Sequence, residues 1–482
     1  MGAGHRLVAP LVGLLAAVVP MIAVWGFTVD DALISARYAH NIARGLGHRF
    51  NELGPWTDGV TPLPWPWLLA PFARAGVEQT LLVAKVIGAV CWASAAAVLA
   101  ASVAKIVPRE RWWGWAGLLL VVLTPGVAAW GVSGMETGVA MALATLVVSV
   151  SRLRVTGSLI GGCVAMFRPE MVIWAVVMGV GRGLLEARES ANDKAAPRNV
   201  VGRTTLHAVV AAAPFLGMCV LRVVLFGSVA PLALRAKPSD LQHGLVYAAA
   251  TLLIAGPPLA VIAPRGWLAL APWPRVILAA FAAHTLTVVA VGGDWMPMSR
   301  LFAPVLPSLA IVFAHLASAT RWPSSLVRGA LCAAGQGWVW FRVGIDAGRV
   351  GADRAELIAY THAELRDDSV VAALDVGWVG AAHSGDVMDL AGLTDPDIAS
   401  LPGGHTTKAI TPMLLAGKRV STIVLLLPAG TGASEAWEQG RYARGVESRI
   451  ARMGWVRGRF HHRATIGTRE GLRYVLLEAP RD

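Results

Sequence analysis

Long apolar runs separated by short basic connectors dominate the first 344 residues of this chain. The first runs from about 7 to 27 behind Arg6, and others fall near 79–104, 114–130, 138–151, 157–181, 205–226, 241–263, 276–291, 301–319 and 325–344. A helix that crosses a bilayer needs about 20 mostly apolar residues, so these runs read as membrane segments. The run 157–181 is interrupted by Phe167-Arg168-Pro169-Glu170. Arg, Pro and Glu at mid-bilayer need a water-filled or protein-lined cavity, so this run is expected to form a hairpin of two short segments. About eleven segments result. No small-residue cleavage site precedes Asp30, so the first run reads as an uncleaved span rather than a signal peptide.

Beyond Gly344 the pattern changes to charges, turns and short apolar runs. VVAALDVGWVG, RVSTIVLLLP and LRYVLLEAP in this tail read as strands. Residues 1–344 are therefore expected to form a membrane domain with a first outer loop over 28–78, and residues 345–482 a soluble α/β domain. No internal repeat is visible in the membrane part, which argues against a transporter built from inverted halves.

Composition agrees: hydrophobic residues make up 55%, charged residues 15%, and mean hydropathy is +0.58. The net charge of +12 raises nucleic acid as a partner. Many of the basic residues, however, lie in connectors where Lys and Arg set topology, as do Lys105, Arg109, Arg111, Arg152, Arg154, Arg182, Arg188, Lys194, Arg198, Arg203, Arg265, Arg275, Arg321 and Arg328. Membrane lipid is the expected surrounding, and no nucleic acid is expected. Cys91, Cys163, Cys219 and Cys332 sit inside apolar runs without metal spacing. With the basic connectors cytoplasmic, the opposite face collects Asp30, Asp31, Asp58, Glu136, Arg168, Glu170, Lys237, Asp294 and Arg300, and the tail is extracytoplasmic.

Asp30 and Asp31 follow the first span directly, where charge is costly and usually functional. Residues 32–44 read as a helix that stops at Gly45, and one Asp of the pair is expected to cap it. Adjacent positions on a helix point about 100° apart, so the two carboxylates are not expected to share a proton. At least one is expected to act as a base or bind a cation. Asp58 and Thr61 follow in a Trp-rich stretch whose Trp65 and Trp67 suit an interfacial anchor.

The ordered set DDALISARYAHNIARGLGHRFN, SGMETG at 133–138, FRPE at 167–170, GGDWMPMSRLFAPVLP at 292–307 and LDVGWVGAAHSGDVMDLAGLTD at 374–395 resembles the bacterial GT-C membrane glycosyltransferases. Within them it is similar to the group of the mycobacterial terminal β-(1→2)-arabinofuranosyltransferase and to related proteins labelled flagellar motor control proteins. The resemblance covers about residues 25–410. It implies a GT-C-like fold in the bacterial inner membrane, a polyprenyl-phosphate sugar donor, a cell-envelope glycan or lipid-linked acceptor, and a catalytic Asp in the first outer loop. By position that is Asp30, with Asp31 as the alternative. The chain departs from the pattern at Asp58-Gly59-Val60-Thr61-Pro62 and at PLALRAK, which keeps Pro231 and Lys237 but has Arg235 at the aromatic position.

A polyprenyl phosphate leaves as a stable anion, so one carboxylate base suffices where most glycoside hydrolases need two. The base would take a proton from the acceptor hydroxyl as that oxygen attacks the anomeric carbon, with inversion. Arg37, Arg168, Lys237 and Arg300 are the candidates to meet phosphate charge, Arg as a fork and Lys as a point charge. Arg300 is alternatively paired with Asp294, and Arg168 with Glu136 or Glu170. Asp30, Asp31 and Asp294 offer hard oxygen ligands compatible with magnesium or calcium, although no fixed spacing supports a metal. His207, His284 and His315 read as satisfied inside the bundle, and Lys85 as snorkelling to the outer surface. In the tail, Asp375, Asp389 and Asp395 read as turn caps, His405 and Lys408 as residues that approach the membrane site, and the basic run 441–463 as a solvated or headgroup-facing surface. Two other readings stay open: a transporter or flippase of lipid-linked sugars, and a non-enzymatic scaffold for flagellar or envelope assembly.

Overall fold

The computed structural model describes residues 3–191, 199–237, 239–254, 270–319, 322–365, 369–467 and 472–480. Lys194, Arg198, Arg265, Arg321 and part of the 241–263 run lie outside them. The chain is mostly helical, with a small sheet near its C-terminus. It divides into two compact units: a helical one made of Met1–Phe27, Lys85–Val220 and Ser239–Gly348, and a mixed one made of Thr28–Ala84, Leu221–Pro238 and Arg349–Asp482.

Among the described residues three helices are long and apolar enough to cross a membrane: Val77–Ile106, Val200–Phe226 and Pro272–Ala290. Two bent pairs raise the number to as many as five, Trp115–Val122 with Pro125–Val132 at 51° and Thr137–Ser149 with Ser151–Phe167 at 92°. Leu206, Val209, Leu216 and Val220 lie exposed along one of these helices. Such an outward apolar face needs a non-aqueous surround. In the helical unit the chain breaks at Arg168 (φ −133°, ψ 89°), and the helices Arg154–Phe167 and Val172–Ala191 pack on each other, as the interrupted run predicted. Close helix contact relies on small residues. A Cβ at Gly88 would meet the Gly131 carbonyl oxygen at 2.6 Å, and one at Gly138 would lie 2.7 Å from the Gly88 Cα.

The mixed unit contains a five-stranded sheet of β1 (Val370–Ala373), β2 (Val387–Asp389), β3 (Val420–Leu426), β4 (His461–Ile466) and β5 (Tyr474–Glu478), in the order β2-β1-β3-β5-β4. β1 runs parallel to β2 and β3, while β5 runs antiparallel to β3 and β4. The central strands are near-continuous Val, Ile and Leu runs, buried on both faces. β2 and β4 carry no such run; β2 is only three residues long and β4 is an exposed polar edge. The free side of β2 is covered by Asn51, whose amide donates to the Val387 carbonyl at 2.9 Å and accepts the Val387 N–H at 3.0 Å. The segment 28–84 thus packs with the sheet's own unit.

Candidate functional site

The helix Asp30–Ala43 starts after extended Val29 (φ −119°, ψ 156°), and no side chain caps it. The expected Asp cap is therefore not formed: Asp30 and Asp31 occupy its first turn. Asp30 is partly buried, and its Oδ1 accepts the Trp378 N–H at 3.0 Å. Burial pushes the Asp30 carboxyl well above the usual carboxylate range, and the neighbouring Asp375 adds to this. Asp375 is shifted the other way. Burial alone would raise it, but the Arg444 guanidinium, 2.5 Å from its Oδ1, and the Tyr474 hydroxyl, 2.6 Å from its Oδ2, hold it below the ordinary value. Expected only to cap a turn, Asp375 thus lies next to Asp30 at the start of the helix Asp30–Ala43. Nothing in sequence spacing joins positions 30 and 375; only the co-occurrence of both motifs in the resemblance hinted at it.

Arg37 does not offer its guanidinium to a ligand. It is buried, stacks over the Phe50 ring at 4.8 Å, and donates to four carbonyl oxygens: Phe50 (2.9 Å), Gly380 (2.8 Å), His383 (2.7 Å) and Gly385 (2.9 Å). The expected phosphate contact is replaced by a tie between two distant stretches of chain. Asp58 is buried 3.3 Å from Arg222, a cation hidden in an apolar run and missed as a partner. Burial raises Asp58 to about 6 against the opposing pull of Arg222. Beside it Tyr38 shares a 2.5 Å hydrogen bond with Thr57 and packs on His48, whose ring centroid is 4.6 Å away. Lys237 ends the short helix Leu232–Ala236, is half-buried, and among the described residues has no ion-pair partner. A cavity of about 250 Å³ in the same unit is lined by Phe50, Asn51, Asp386, Thr394 and Lys418 among others, and by none of the candidate residues.

The remaining candidates belong to the helical unit. Arg168 stands between Glu136 (2.9 Å) and Glu170 (2.7 Å), and Arg300 Nε lies 2.5 Å from Asp294 Oδ2, so the carboxylate pairings that were the alternative to a phosphate contact form for both arginines. Arg300 also lies over the Trp130 ring at 5.7 Å. The loop that presents it is strained: Met298 (φ 61°) and Ser299 (φ 56°) are left-handed without being glycine. Two contacts over-determine that turn, the Trp130 indole N–H to the Met298 carbonyl at 3.0 Å and Thr251 Oγ1 to Ser299 Oγ at 2.9 Å.

Other expectations fare unevenly. His207 bonds Ser158 (2.8 Å) and His284 the Leu301 carbonyl (2.8 Å) through one ring nitrogen each, but the other nitrogen of each ring is buried without a hydrogen-bond partner among the described residues, so the expectation of satisfied interior histidines holds only in part. Lys85 does not snorkel: it is buried, with its ammonium on the Phe27 carbonyl at 2.7 Å. Lys408 is likewise buried on the carbonyls of Ala399 (2.8 Å) and Leu401 (2.9 Å), which removes it as a residue that approaches a membrane site. Asp389 and Asp395 do brace turns, each accepting backbone N–H bonds. Among the described residues no group of three or more His, Cys, Asp or Glu is arranged to hold a metal ion.

Residues 346–467 match a family described as a domain of unknown function, DUF8728. No curated protein matches the chain. Among solved structures it is similar to the crystal structure of the Archaeoglobus fulgidus oligosaccharyltransferase in the apo form, at 11% identity over 87% of this chain and 69% of that one, with a TM-score of 0.49.

Proposed function

We propose that this chain is an inverting membrane glycosyltransferase of the GT-C kind, moving a sugar from a polyprenyl-phosphate donor to a cell-envelope glycan or lipid-linked acceptor. The observation that carries the reading is geometric: Asp30, in the first turn of the helix Asp30–Ala43, is held through its Oδ1 by the Trp378 N–H at 3.0 Å, next to an Asp375 fixed by Arg444 and Tyr474. The surroundings push the two carboxyls in opposite directions, and such splitting is how a site acquires one poised base. A base works best when its pKa approaches the working pH, and a carboxyl raised well above its usual range meets that need. Asp30 would then take the acceptor hydroxyl's proton as that oxygen attacks the anomeric carbon, and the carbon–oxygen bond to phosphate would break with its electron pair on the departing phosphate. No proton donor is required for that leaving group. Lys237 is the proposed phosphate contact in the mixed unit, while Arg168 and Arg300 have the same proposed role in the helical unit. Asp31 and Asp58 are proposed to steady the acceptor side, and Glu136, Glu170 and Asp294 to hold the arginines. The proposed setting is the bacterial inner membrane, with the C-terminal segment outside the cytoplasm.

The test incubates the purified full chain with a panel of radiolabelled polyprenyl-phosphate sugars and an envelope extract, and compares wild type with Asp30→Asn and Asp31→Asn. Transfer should vanish in Asp30→Asn while donor binding persists. No donor consumed by the wild type, or full activity in Asp30→Asn, would overturn the reading.

A further inference from the structure

Asp30 is held by Asp375–Trp378, the N-cap and first turn of the seven-residue helix Val376–Ala382, nearly 350 positions further along the chain. The Trp378 N–H donates to its Oδ1 at 3.0 Å, and the Gly377 amide also faces the carboxylate. Position 377 admits only glycine at this approach: a Cβ there would collide with the Asp30 carbonyl and lie 2.9 Å from Asp30 Oδ1. The turn is tied at its first residue. Asp375 is fixed by Arg444 at 2.5 Å, from the start of the helix Gly445–Ala451, and by the Tyr474 hydroxyl at 2.6 Å, from the first residue of β5. Arg444 is in turn held by Glu447 at 2.8 Å, and Arg354 stacks over Trp378 at 5.1 Å.

We propose that the Asp375–Trp378 turn is the positioning device of the Asp30 base, and that Asp375, clamped by Arg444 and Tyr474, is the positioning residue that anchors it. The proposal rests on the assignment of Asp30 as base. The charged groups that act on Asp30 are Asp375 and Asp31, and those that act on Asp375 are Arg444, Arg354 and Tyr474. A carboxylate beside a fixed like charge releases its proton at higher pH, so neutralising Asp375 should make Asp30 more acidic without unseating it. A merely structural ion pair between Asp375 and Arg444 predicts instead a loss of stability with no change in how Asp30 titrates.

The experiment labels Asp30 in the full chain with a carbodiimide, which reacts with the protonated carboxyl, and reads the extent by mass spectrometry across pH. This readout needs no transfer activity. In Asp375→Asn the midpoint of labelling should fall by about one pH unit or more, and the acid limb of kcat/KM by the same amount, with Asp375→Glu restoring both. In Gly377→Ala the carboxylate should lose its two amide donors, so the midpoint should rise, and kcat should drop about tenfold or more at unchanged donor KM. If Asp375→Asn does not fold, the Gly377→Ala midpoint decides. Midpoints equal to wild type in the folded variants overturn the positioning role even if Asp30→Asn abolishes transfer. An active Asp30→Asn overturns the base assignment and leaves the labelling result to stand as chemistry of the turn.

Discussion

Replacing Arg37 by Met should unlock the helix Asp30–Ala43 from the segment 380–385. Four carbonyl oxygens would lose their donor at once, those of Phe50, Gly380, His383 and Gly385. Hydrogen bonds to a charged group contribute about 1.5–3 kcal/mol each, but the wild type also bears the cost of keeping a guanidinium out of water. That cost is visible in Arg37 itself, which burial lowers to about 10 while leaving it cationic at neutral pH. The two effects oppose, and a net loss of about 3–5 kcal/mol is the expectation for dismantling a buried charged network. For a unit of roughly 200 residues this is about 10 °C in thermal midpoint. Arg37→Lys should fall between, since a point charge reaches only part of the four-carbonyl fan. The assay is thermal unfolding of the full chain in detergent, together with protease sensitivity at 383–386. A phosphate ligand would behave differently, raising donor KM with stability intact. That result, or a loss below about 1 kcal/mol, would refute the structural role.

Asp58 and Gly88 give two further expectations. Asp58 is raised from its model-compound value near 3.8 to about 6, so its ionisation opposes folding: the contribution is fully present below the unfolded value and is lost as pH rises through about 6. The stability difference between wild type and Asp58→Asn should therefore shift by about 2 kcal/mol against wild type from pH 4 to 6 in equilibrium unfolding, and a flat difference would contradict it. Taking the difference cancels His48, which burial lowers to about 4 and which contributes the opposite slope. Gly88→Val should cost about 1–3 kcal/mol by overpacking, because the first added carbon already meets the Gly131 carbonyl at 2.6 Å; unchanged heat inactivation of the variant would show that the helices can part freely.

Much of the architecture was legible because membrane helices and buried strands announce themselves by long or unbroken apolar runs. The break at Arg168, the helix after the carboxylate pair and the strands β3 and β5 follow from such patterns, whereas of the expected strand VVAALDVGWVG only Val370–Ala373 is strand and its second half is the helix Val376–Ala382. β4 was not legible, since a polar edge strand lacks the apolar signal, and β2 is too short to show one. Side-chain partners were harder. The pairings of Arg168 and Arg300 were legible as one of two alternatives, because Glu170 and Asp294 stand within a few residues of them in the same motifs. Arg222 was not, because a lone cation inside an apolar run carries no mark of which distant carboxylate it meets.

By itself the sequence determined that this is a chain of apolar helices with a mixed α/β tail, and that two carboxylates stand where the first helix ends. These are local properties, set by hydropathy and periodicity within tens of residues. Only the tertiary structure decided that Asp30 is gripped by Gly377 and Trp378, that Asp375 rather than Asp31 is the fixed charge held by Arg444 beside it, and that Arg37 ties carbonyls instead of waiting for phosphate. The reason is physical: burial and long-range contact choose a side chain's partner, and neither is written in the spacing of residues along the chain.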